Sequence, residues 1–180
     1  MFGSYARYYD QMNRDKDYVA EARFDAVVAL FHVVSYLAND QDLRACFGAV
    51  AAHLEPGGPF LFDVWYGPAV LKQRPSIRVH RVRDSALALT RIAVPELLAA
   101  EKLVDVHFQL FARHLATGRT EEVRETHRMR YLFAPELTTL LDEAGLTLRH
   151  QEAWLSGEPP SEDTWSVTVI ACRAGLGDGR

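Results

Sequence analysis

The stretch FDAVVALFHVVSYLANDQDLRACFGAVAAHLEPGGPFLFDV, residues Phe24–Val64, decides the fold. It begins with a near-continuous apolar run, Phe24–Phe31, and ends with a second one, Pro59–Val64. Short apolar runs without polar alternation are typical of strands that are buried on both faces of a sheet. The two runs therefore predict two strands of a covered, parallel sheet.

A helix is predicted between these two strands. Asn39 or Asp40 can cap its start, and the Glu-Pro-Gly-Gly segment that follows Leu54 stops it. Its apolar residues share one helical face: Leu43, Phe47, Val50, Ala51 and Leu54. A helix that connects two fully apolar strands implies a parallel pair with a right-handed crossover, so residues 24–64 form a β-α-β unit. In open α/β sheets, ligands bind at the carboxyl ends of such strands.

Residues 77–132 have a different pattern, in which polar and apolar residues alternate. The alternation covers four segments: Ile77–Val82, Ala86–Ile92, Lys102–Phe111 and Glu121–Leu132. A period of two predicts half-buried antiparallel strands. We expect these strands to form an insert or cap that is not part of the parallel sheet.

Residues 135–172 predict a C-terminal helix and a strand pair. Pro135 opens the helix and Gly145 ends it, which is the usual placement of these two residue types. The strands are predicted over Leu146–Trp154 and Thr164–Cys172. The chain is therefore expected to be an α/β protein with an antiparallel β insert.

Length and composition exclude several classes of protein. The 180 residues suggest one domain, which we place over residues 1–174, with a disordered tail over 175–180. The net charge of −4 does not fit a nucleic-acid-binding protein, which would carry a clustered basic face. No apolar run approaches the ~20 residues that cross a bilayer, and residues 1–17 do not resemble a signal peptide. We therefore expect a cytoplasmic protein without a membrane or nucleic-acid partner.

Four strings, in this order, resemble the class I S-adenosylmethionine-dependent methyltransferases, and among them small bacterial enzymes that methylate amino groups of nucleotide-linked sugars. They are YARYYD (Tyr5–Asp10), FDAVVALFHVVSYL (Phe24–Leu37), HLEPGGPFLFDVWYGPAV (His53–Val70) and ETHRMRYLF (Glu125–Phe133). The resemblance implies a partial Rossmann-like sheet and S-adenosylmethionine as cofactor. It also implies a small-molecule acceptor that receives the methyl group on nitrogen or oxygen.

The sequence departs from this family in one respect. The family carries a glycine-rich loop of the D-x-G-x-G-x-G kind after its first strand, and an acidic residue at the end of its second. Here Ala22 is followed directly by Arg23 and Phe24, which leaves no room for either element. We interpret the chain as internally deleted, and we expect it to bind adenosylmethionine weakly or not at all. The alternative is a non-catalytic remnant that binds substrate or forms a homo-oligomer through the exposed edge of the first strand.

The resemblance assigns cofactor contacts to Tyr5, Tyr9, Leu30 and Phe31. In related enzymes the tyrosine segment folds over the cofactor as a lid, although such rings can also simply cover a sheet. Leu30 and Phe31 end the first predicted strand, at the position that contacts the donor in the family.

Catalytic roles are assigned to His32 and Tyr36. Histidine can accept a proton because its ordinary pKa is near neutrality, and Tyr36 on the same loop can reach substrate. Trp65 and Tyr66 follow the second strand, where aromatic rings can wall a substrate pocket and hold a cation. The alternatives are a packed turn residue for His32 and a core residue for Trp65.

His127 and Arg130 complete the set of predicted substrate contacts. Both lie in the alternating string ETHRMRY, with Arg128 and Arg130 on one face. Paired guanidinium groups recognise phosphate well, so they would suit a nucleotide-sugar diphosphate. The alternative is a solvated strand face. The other histidines show no metal-ligand spacing, and no metal site is predicted.

Overall fold

One eight-stranded mixed sheet organises residues 22–175, the part of the chain that a computed structural model describes. The strands are β1 (Val27–Ala29), β2 (Pro59–Tyr66), β3 (Arg78–Arg83), β4 (Leu87–Leu98), β5 (Leu103–His114), β6 (Thr120–Leu132), β7 (Leu146–Ala153) and β8 (Ser166–Arg173). The helices are α1 (Asp40–His53), α2 (Gly67–Gln73) and α3 (Ala134–Glu143). The strand order is β3-β4-β5-β6-β2-β8-β7, and β1 also pairs with β2. The predicted α/β class is confirmed.

The β1-α1-β2 segment has the parallel arrangement that the sequence predicts. Val28 of β1 lies opposite Leu61 of β2, and the two strands run in the same direction. The Asn39 side chain caps α1 by accepting a hydrogen bond from the backbone N–H of Asp42 at 2.9 Å. This satisfies one of the four amide groups that the first turn of a helix leaves without a partner.

The first strand differs from its prediction in length and in burial. Only Val27–Ala29 pair with β2, and Phe24 forms a single parallel bridge with Leu54, whereas Phe24–Phe31 were predicted as one strand. Val28 is 58% exposed, so the strand is not buried on both faces. The physical reason is that, within residues 22–175, β1 pairs with β2 alone and its outer edge has no neighbouring strand.

The insert is antiparallel, as predicted, but the expectation that it stands apart from the parallel sheet is wrong. Strands β3 to β6 pair in antiparallel order, and β6 then continues into the main sheet. Trp65 and Tyr66 at the end of β2 pair in parallel with Tyr131 and Leu132 of β6. The last four residues of β6 are buried, and this burial joins the insert to the core.

Two apolar cores stabilise the two halves of the sheet. In the first, Phe47 of α1 packs against Phe60 and Phe62 of β2, whose rings stack at 4.4 Å. Helix α3 contributes Leu137, Leu140 and Leu141 to the same core, the face that the sequence predicts. The second core lies under the insert and is formed by Val70, Val104, Val106, Met129 and Tyr131.

Helix α2 was not predicted, and it contributes Val70 to the second core. It follows β2 directly, buries Ala69 and Val70, and leads the chain toward β3. At its first residue, Gly67, a Cβ atom would lie 2.7 Å from the ring of Phe133. A larger residue at this position would therefore force the ring of Phe133, at the start of α3, to move.

Candidate functional site

A cavity of about 770 Å³ opens between the carboxyl ends of β1 and β2 and one face of the insert. Five of the residues that the sequence singles out line it together: Phe31, His32, Tyr36, Trp65 and His127. They come from the loop after β1, the end of β2 and strand β6. This is the edge of an α/β sheet at which ligands bind.

The opposite wall of the cavity is one face of the insert. Because side chains alternate along a strand, every second residue of β4, β5 and β6 in this wall lines the cavity. They are Arg91, Ala93 and Pro95 on β4, Val106 and Phe108 on β5, and His127 and Met129 on β6; on β3, the consecutive residues Arg78, Val79 and His80 line it. The cavity is thus walled by both charged and aromatic side chains.

A buried carboxylate fixes the loop after β1. Phe31 and His32 have φ angles of 65° and 64°, a left-handed conformation that is rare for residues other than glycine. The backbone N–H of His32 donates to both carboxylate oxygens of Asp63, at 3.0 and 3.1 Å. Asp63 is fully buried, and the Ser166 hydroxyl also donates to it at 3.3 Å. These bonds stabilise a turn that the backbone alone disfavours.

The imidazole of His32 lies against the same carboxylate. Its Nε2 atom is 3.2 Å from Oδ2 of Asp63 and 3.1 Å from the Ser166 hydroxyl. Burial lowers the pKa of His32 below its ordinary value, and the nearby negative charge of Asp63 opposes this only in part. The ring is therefore neutral at pH 7.

Tyr36, His127 and Glu125 form a hydrogen-bonded chain along the cavity. The Tyr36 hydroxyl lies 2.7 Å from Nδ1 of His127, and Nε2 of His127 lies 3.2 Å from a carboxylate oxygen of Glu125. Since a carboxylate only accepts hydrogen bonds, Nε2 carries the proton and Nδ1 accepts from the tyrosine. The edge of the Phe108 ring packs on the His127 ring at 4.8 Å.

Trp65 is held in place by its backbone and by its ring. Its N–H donates to the hydroxyl of the fully buried Ser35 at 3.0 Å. Its ring meets that of Trp165 edge-on at 5.6 Å, and that of His32 at 6.2 Å. Both tryptophans line the cavity.

Comparisons with known proteins show what the chain is similar to. No family model matches it. It is 25% identical, over 142 residues, to a dTDP-3-amino-3,4,6-trideoxy-alpha-D-glucopyranose N,N-dimethyltransferase of Streptomyces venezuelae. The match covers 79% of the chain but 58% of that relative, which is less than two thirds of its length.

Solved structures show the same architecture. A S-adenosylmethionine-dependent methyltransferase from Clostridium acetobutylicum matches with a TM-score of 0.70 and 19% identity, over 96% of this chain and 71% of that one. The sugar N-methyltransferase KedS8 from a Streptoalloteichus species matches with a TM-score of 0.69 and 19% identity, over 88% and 59%. The chain has the fold of the class I methyltransferases. The resemblance that its four sequence strings indicate is confirmed.

Several residues predicted for the site lie elsewhere in this methyltransferase fold. Arg130 is 5% exposed and does not line the cavity, because its guanidinium binds the carboxylates of Asp40, at 2.6 Å, and Glu136. The neighbouring Arg128 pairs with Asp105 at 2.6 Å. Neither guanidinium forms the phosphate-binding pair that the sequence suggested, so we leave Arg130 out of the proposed site.

Four other predicted residues are not brought to the cavity by the described part of the chain. Leu30 is half-buried just after β1, and Tyr66 packs against the first core. Tyr5 and Tyr9 lie outside the described residues, as do residues 176–180 of the predicted tail.

The cavity also contains residues that the sequence reading missed. Arg74, Arg78 and Arg91 line it, and β3 is at the same time exposed along its whole length. Alternation does place Arg78 and His80 on one side of the strand. It does not indicate which side faces the cavity, because that depends on how the insert packs on the rest of the sheet.

Residues 22–175 contain neither a helix that could span a membrane nor a cluster of side chains that could bind a metal ion. None of the helices in this range is both long and apolar enough to span a bilayer. The same residues contain no cluster of three or more His, Cys, Asp or Glu side chains that could hold a metal ion.

Proposed function

We propose that the cavity is the acceptor site for S-adenosylmethionine-dependent methyl transfer to a nitrogen or oxygen of a small molecule. The observation that carries this proposal is the convergence of His32, Tyr36, Trp65 and His127 at the carboxyl ends of β1 and β2. It is supported by the relative from Streptomyces venezuelae, which is an amino-sugar N,N-dimethyltransferase. The fold shared with the sugar N-methyltransferase KedS8 supports it as well.

The residues present do not complete a site for the methyl donor. Phe31, at the position assigned to the donor, is 78% exposed, and the outer edge of β1 has no partner among residues 22–175. The 180-residue sequence has no glycine-rich loop after a predicted strand. We therefore expect weak donor binding, and the chemistry derived below is that of the acceptor alone.

Tyr36 is the proposed proton acceptor. An acceptor N–H or O–H placed at the Tyr36 oxygen passes its proton to that oxygen while the tyrosine proton moves to Nδ1 of His127. The Glu125 carboxylate, 3.2 Å from Nε2, then stabilises the imidazolium. This leaves a lone pair on the acceptor atom, as general base catalysis requires.

The aromatic rings are proposed to orient the acceptor. Trp65, Trp165 and Phe108 line the cavity and present apolar ring surface to it. An amine that is still protonated is also attracted to the faces of such rings. The rings thus hold the acceptor near Tyr36 without forming a bond to it.

A coupled binding and turnover experiment tests the proposal. Candidate amine and alcohol acceptors are titrated against the fluorescence of Trp65 and Trp165, and S-adenosylhomocysteine is measured as the product of transfer. We expect Tyr36→Phe to leave acceptor binding unchanged and to lower turnover by a factor of about 100 or more. Acceptors that bind with no transfer at any donor concentration would contradict the proposal.

The second candidate function is that of a non-catalytic binding or oligomerisation module. It is favoured by the outer edge of β1, which pairs with no strand of residues 22–175 and where Val28 is largely exposed. An edge of this kind is a template for pairing with another chain. Size-exclusion chromatography with light scattering tests the idea, with Val28→Lys as the variant that should dissociate any dimer. A parent protein that is monomeric at every concentration tried would contradict it.

A further inference from the structure

We propose that the acceptor carries an apolar group, which binds in a second, smaller cavity beside the first. This cavity has a volume of about 280 Å³ and lies on the same face of the insert. The inference rests on the proposed function, because it names the chemistry of the acceptor that this site takes. It concerns the part of the acceptor next to the atom that receives the methyl group.

The smaller cavity continues the wall of the larger one. The two share four lining residues, Tyr36, Arg91, Phe108 and His127, and the smaller one adds Leu110, Val123 and Glu125. Leu110 lies opposite Arg91 of β4 and Val123 of β6. It also lies two residues beyond Phe108 on β5, so it is on the same face of the sheet. A ligand can therefore extend from one cavity into the other along this face.

Leu110 and Val123 provide apolar surface that the protein itself does not use. Within residues 22–175, neither side chain belongs to the two apolar cores, and Val123 is 47% exposed. Contact with an apolar group would remove this surface from water, and that removal favours binding. The two residues thus indicate a ligand that is apolar at this place.

The polar side chains of the smaller cavity already interact with one another. The Tyr36 hydroxyl lies 2.7 Å from Nδ1 of His127, and Nε2 of His127 lies 3.2 Å from a carboxylate oxygen of Glu125. The guanidinium carbon of Arg91 lies 5.3 Å from the centre of the Phe108 ring. Arg91 and Glu125 carry opposite charges, so together they do not select a charged ligand. An apolar group can therefore enter without separating these partners.

The volume of the smaller cavity indicates the size of its occupant. An apolar cavity of about 150 Å³ binds benzene, so one of about 280 Å³ holds a substituted ring or a short alkyl chain. A second copy of the chain would require a much larger surface, since a specific protein interface buries about 800 Å² on each partner. These sizes favour a part of a small molecule over a polypeptide.

Tyr36 relates the apolar group to the reacting atom. Its hydroxyl is the proposed proton acceptor, and its side chain lines both cavities. An acceptor whose nitrogen or oxygen lies at this hydroxyl has one part in the larger cavity and places another in the smaller one. The apolar group is therefore expected to be attached close to the atom that is methylated.

Direct binding tests the proposal without any methyl transfer. Ethylamine, n-butylamine and n-hexylamine carry the same charge and differ only in the length of the apolar chain. Their affinities for the full chain are measured by isothermal titration calorimetry at one pH and one salt concentration. We expect the affinity to rise by about twofold to fourfold with each added methylene group, because each group is removed from water on binding.

A valine variant localises the apolar chain. Val123→Thr keeps the branched shape that suits a strand but places a hydroxyl in the wall of the smaller cavity. It should weaken n-hexylamine binding by about fivefold and leave ethylamine binding within about twofold. Val82→Thr is the matched control, because Val82 is 49% exposed on β3 and lines neither of these two cavities. It should leave both affinities within about twofold.

Nuclear Overhauser effects show where the bound chain lies. We expect contacts between the terminal methyl group of n-hexylamine and the methyl groups of Leu110 and Val123. Contacts to the rings of Trp65 and Trp165 alone would place the chain in the larger cavity and would overturn the proposal.

The outcomes separate this proposal from the proposed function. Absence of n-hexylamine binding, equal affinities across the series, or equal losses in Val123→Thr and Val82→Thr would overturn the apolar subsite even if short amines are methylated. Binding that depends on Val123 supports the subsite even if no transfer is detected. A dimer that Val123→Thr dissociates, measured by light scattering, would show that a second copy covers this face and would also overturn the proposal.

Discussion

Asp63 organises the candidate site at the scale of single residues. It is a fully buried carboxylate inside an apolar strand, and it accepts hydrogen bonds from the His32 backbone and the Ser166 side chain. A buried charge is costly unless it is hydrogen-bonded in this way. These hydrogen bonds offset the cost of burying the carboxylate. They also hold Phe31 and His32 in a left-handed turn at the rim of the cavity.

Protonation of His32 is expected to destabilise the protein. Burial lowers its pKa in the folded chain, so the unfolded chain takes up the proton at a higher pH. The free energy of unfolding should therefore fall as the pH drops below about 6.5, the ordinary histidine value. Urea denaturation between about pH 7.5 and pH 5 measures this, and His32→Gln should flatten the curve. A curve of equal steepness in the variant would contradict the assignment.

Gly67 is expected to tolerate no larger residue. Gly67→Ala would place a Cβ 2.7 Å from the Phe133 ring, and we expect the free energy of unfolding to drop by about 1–3 kcal/mol. Gly48→Ala is the matched control, because Gly48 lies in α1 with nothing within 4 Å of its Cβ position. That change should stabilise the protein by about 0.5–1 kcal/mol. Chemical denaturation of both variants measures the two changes in the free energy of unfolding.

At the scale of elements, the start of α1 depends on its cap. Asn39→Ala removes the acceptor of the Asp42 N–H and should lower the free energy of unfolding by about 1 kcal/mol. Asn39→Ser keeps a side-chain oxygen at the same place and should restore most of the loss. Thermal or urea denaturation measures both. Equal stability of the alanine and serine variants would show that the hydrogen bond contributes nothing.

The sequence predicts the long, patterned elements well. Helices α1 and α3 have apolar periodicity with clear start and stop residues, and the strands of the insert alternate over many positions. The sequence pattern does not predict helix α2, because its seven residues are too few to show a helical period. The pairing of β6 with β2 is not predictable either. It involves two residue pairs whose members are about 65 positions apart along the chain, and such pairs leave no local sequence pattern.

The sequence predicts only those residues of the candidate site that follow the end of an apolar strand. His32, Tyr36 and Trp65 follow apolar strands, and their meeting at one edge follows from the parallel pairing. The arginines were assigned to the wrong roles, because a guanidinium is free or paired according to its neighbours in space. One partner of Arg130, Glu136, lies in the helix that follows β6 directly, but the other, Asp40, lies 90 residues away on α1, which the sequence alone does not bring to β6.

At the scale of the whole molecule, Arg130 connects the insert to the helical layer. It joins β6 to Asp40 at the start of α1 and to Glu136 in α3. The hydrogen bond from Arg130 is also the main reason that the pKa of Asp40 lies below its ordinary value. The network couples α1 to β6 and α3, which lie about 90 residues further along the chain.

Loss of Arg130 is expected to weaken the whole fold. Arg130→Gln leaves the largely buried Glu136 with Lys102 as its remaining cation, and the free energy of unfolding should fall by about 2–3 kcal/mol. Arg128→Gln is the matched control on the same strand. Arg128 is about half exposed, and its loss should lower the free energy of unfolding much less than the loss of Arg130. Similar losses in the two variants, measured by urea denaturation, would contradict the difference in their roles.

The β3 edge of the sheet is held less firmly than the central strand β2. Strand β3 pairs with β4 alone and has all six residues exposed, whereas β2 is bonded along both edges and lies between two cores. In heavy water, the β3 amides should take up deuterium first and those of β2 last, because local opening follows burial and pairing. The strand that carries Arg78 is therefore expected to open locally more often than the central strand β2 does. A molecule bound between Arg78 and Arg91 would slow deuterium uptake by the backbone amides at this edge of the sheet alone.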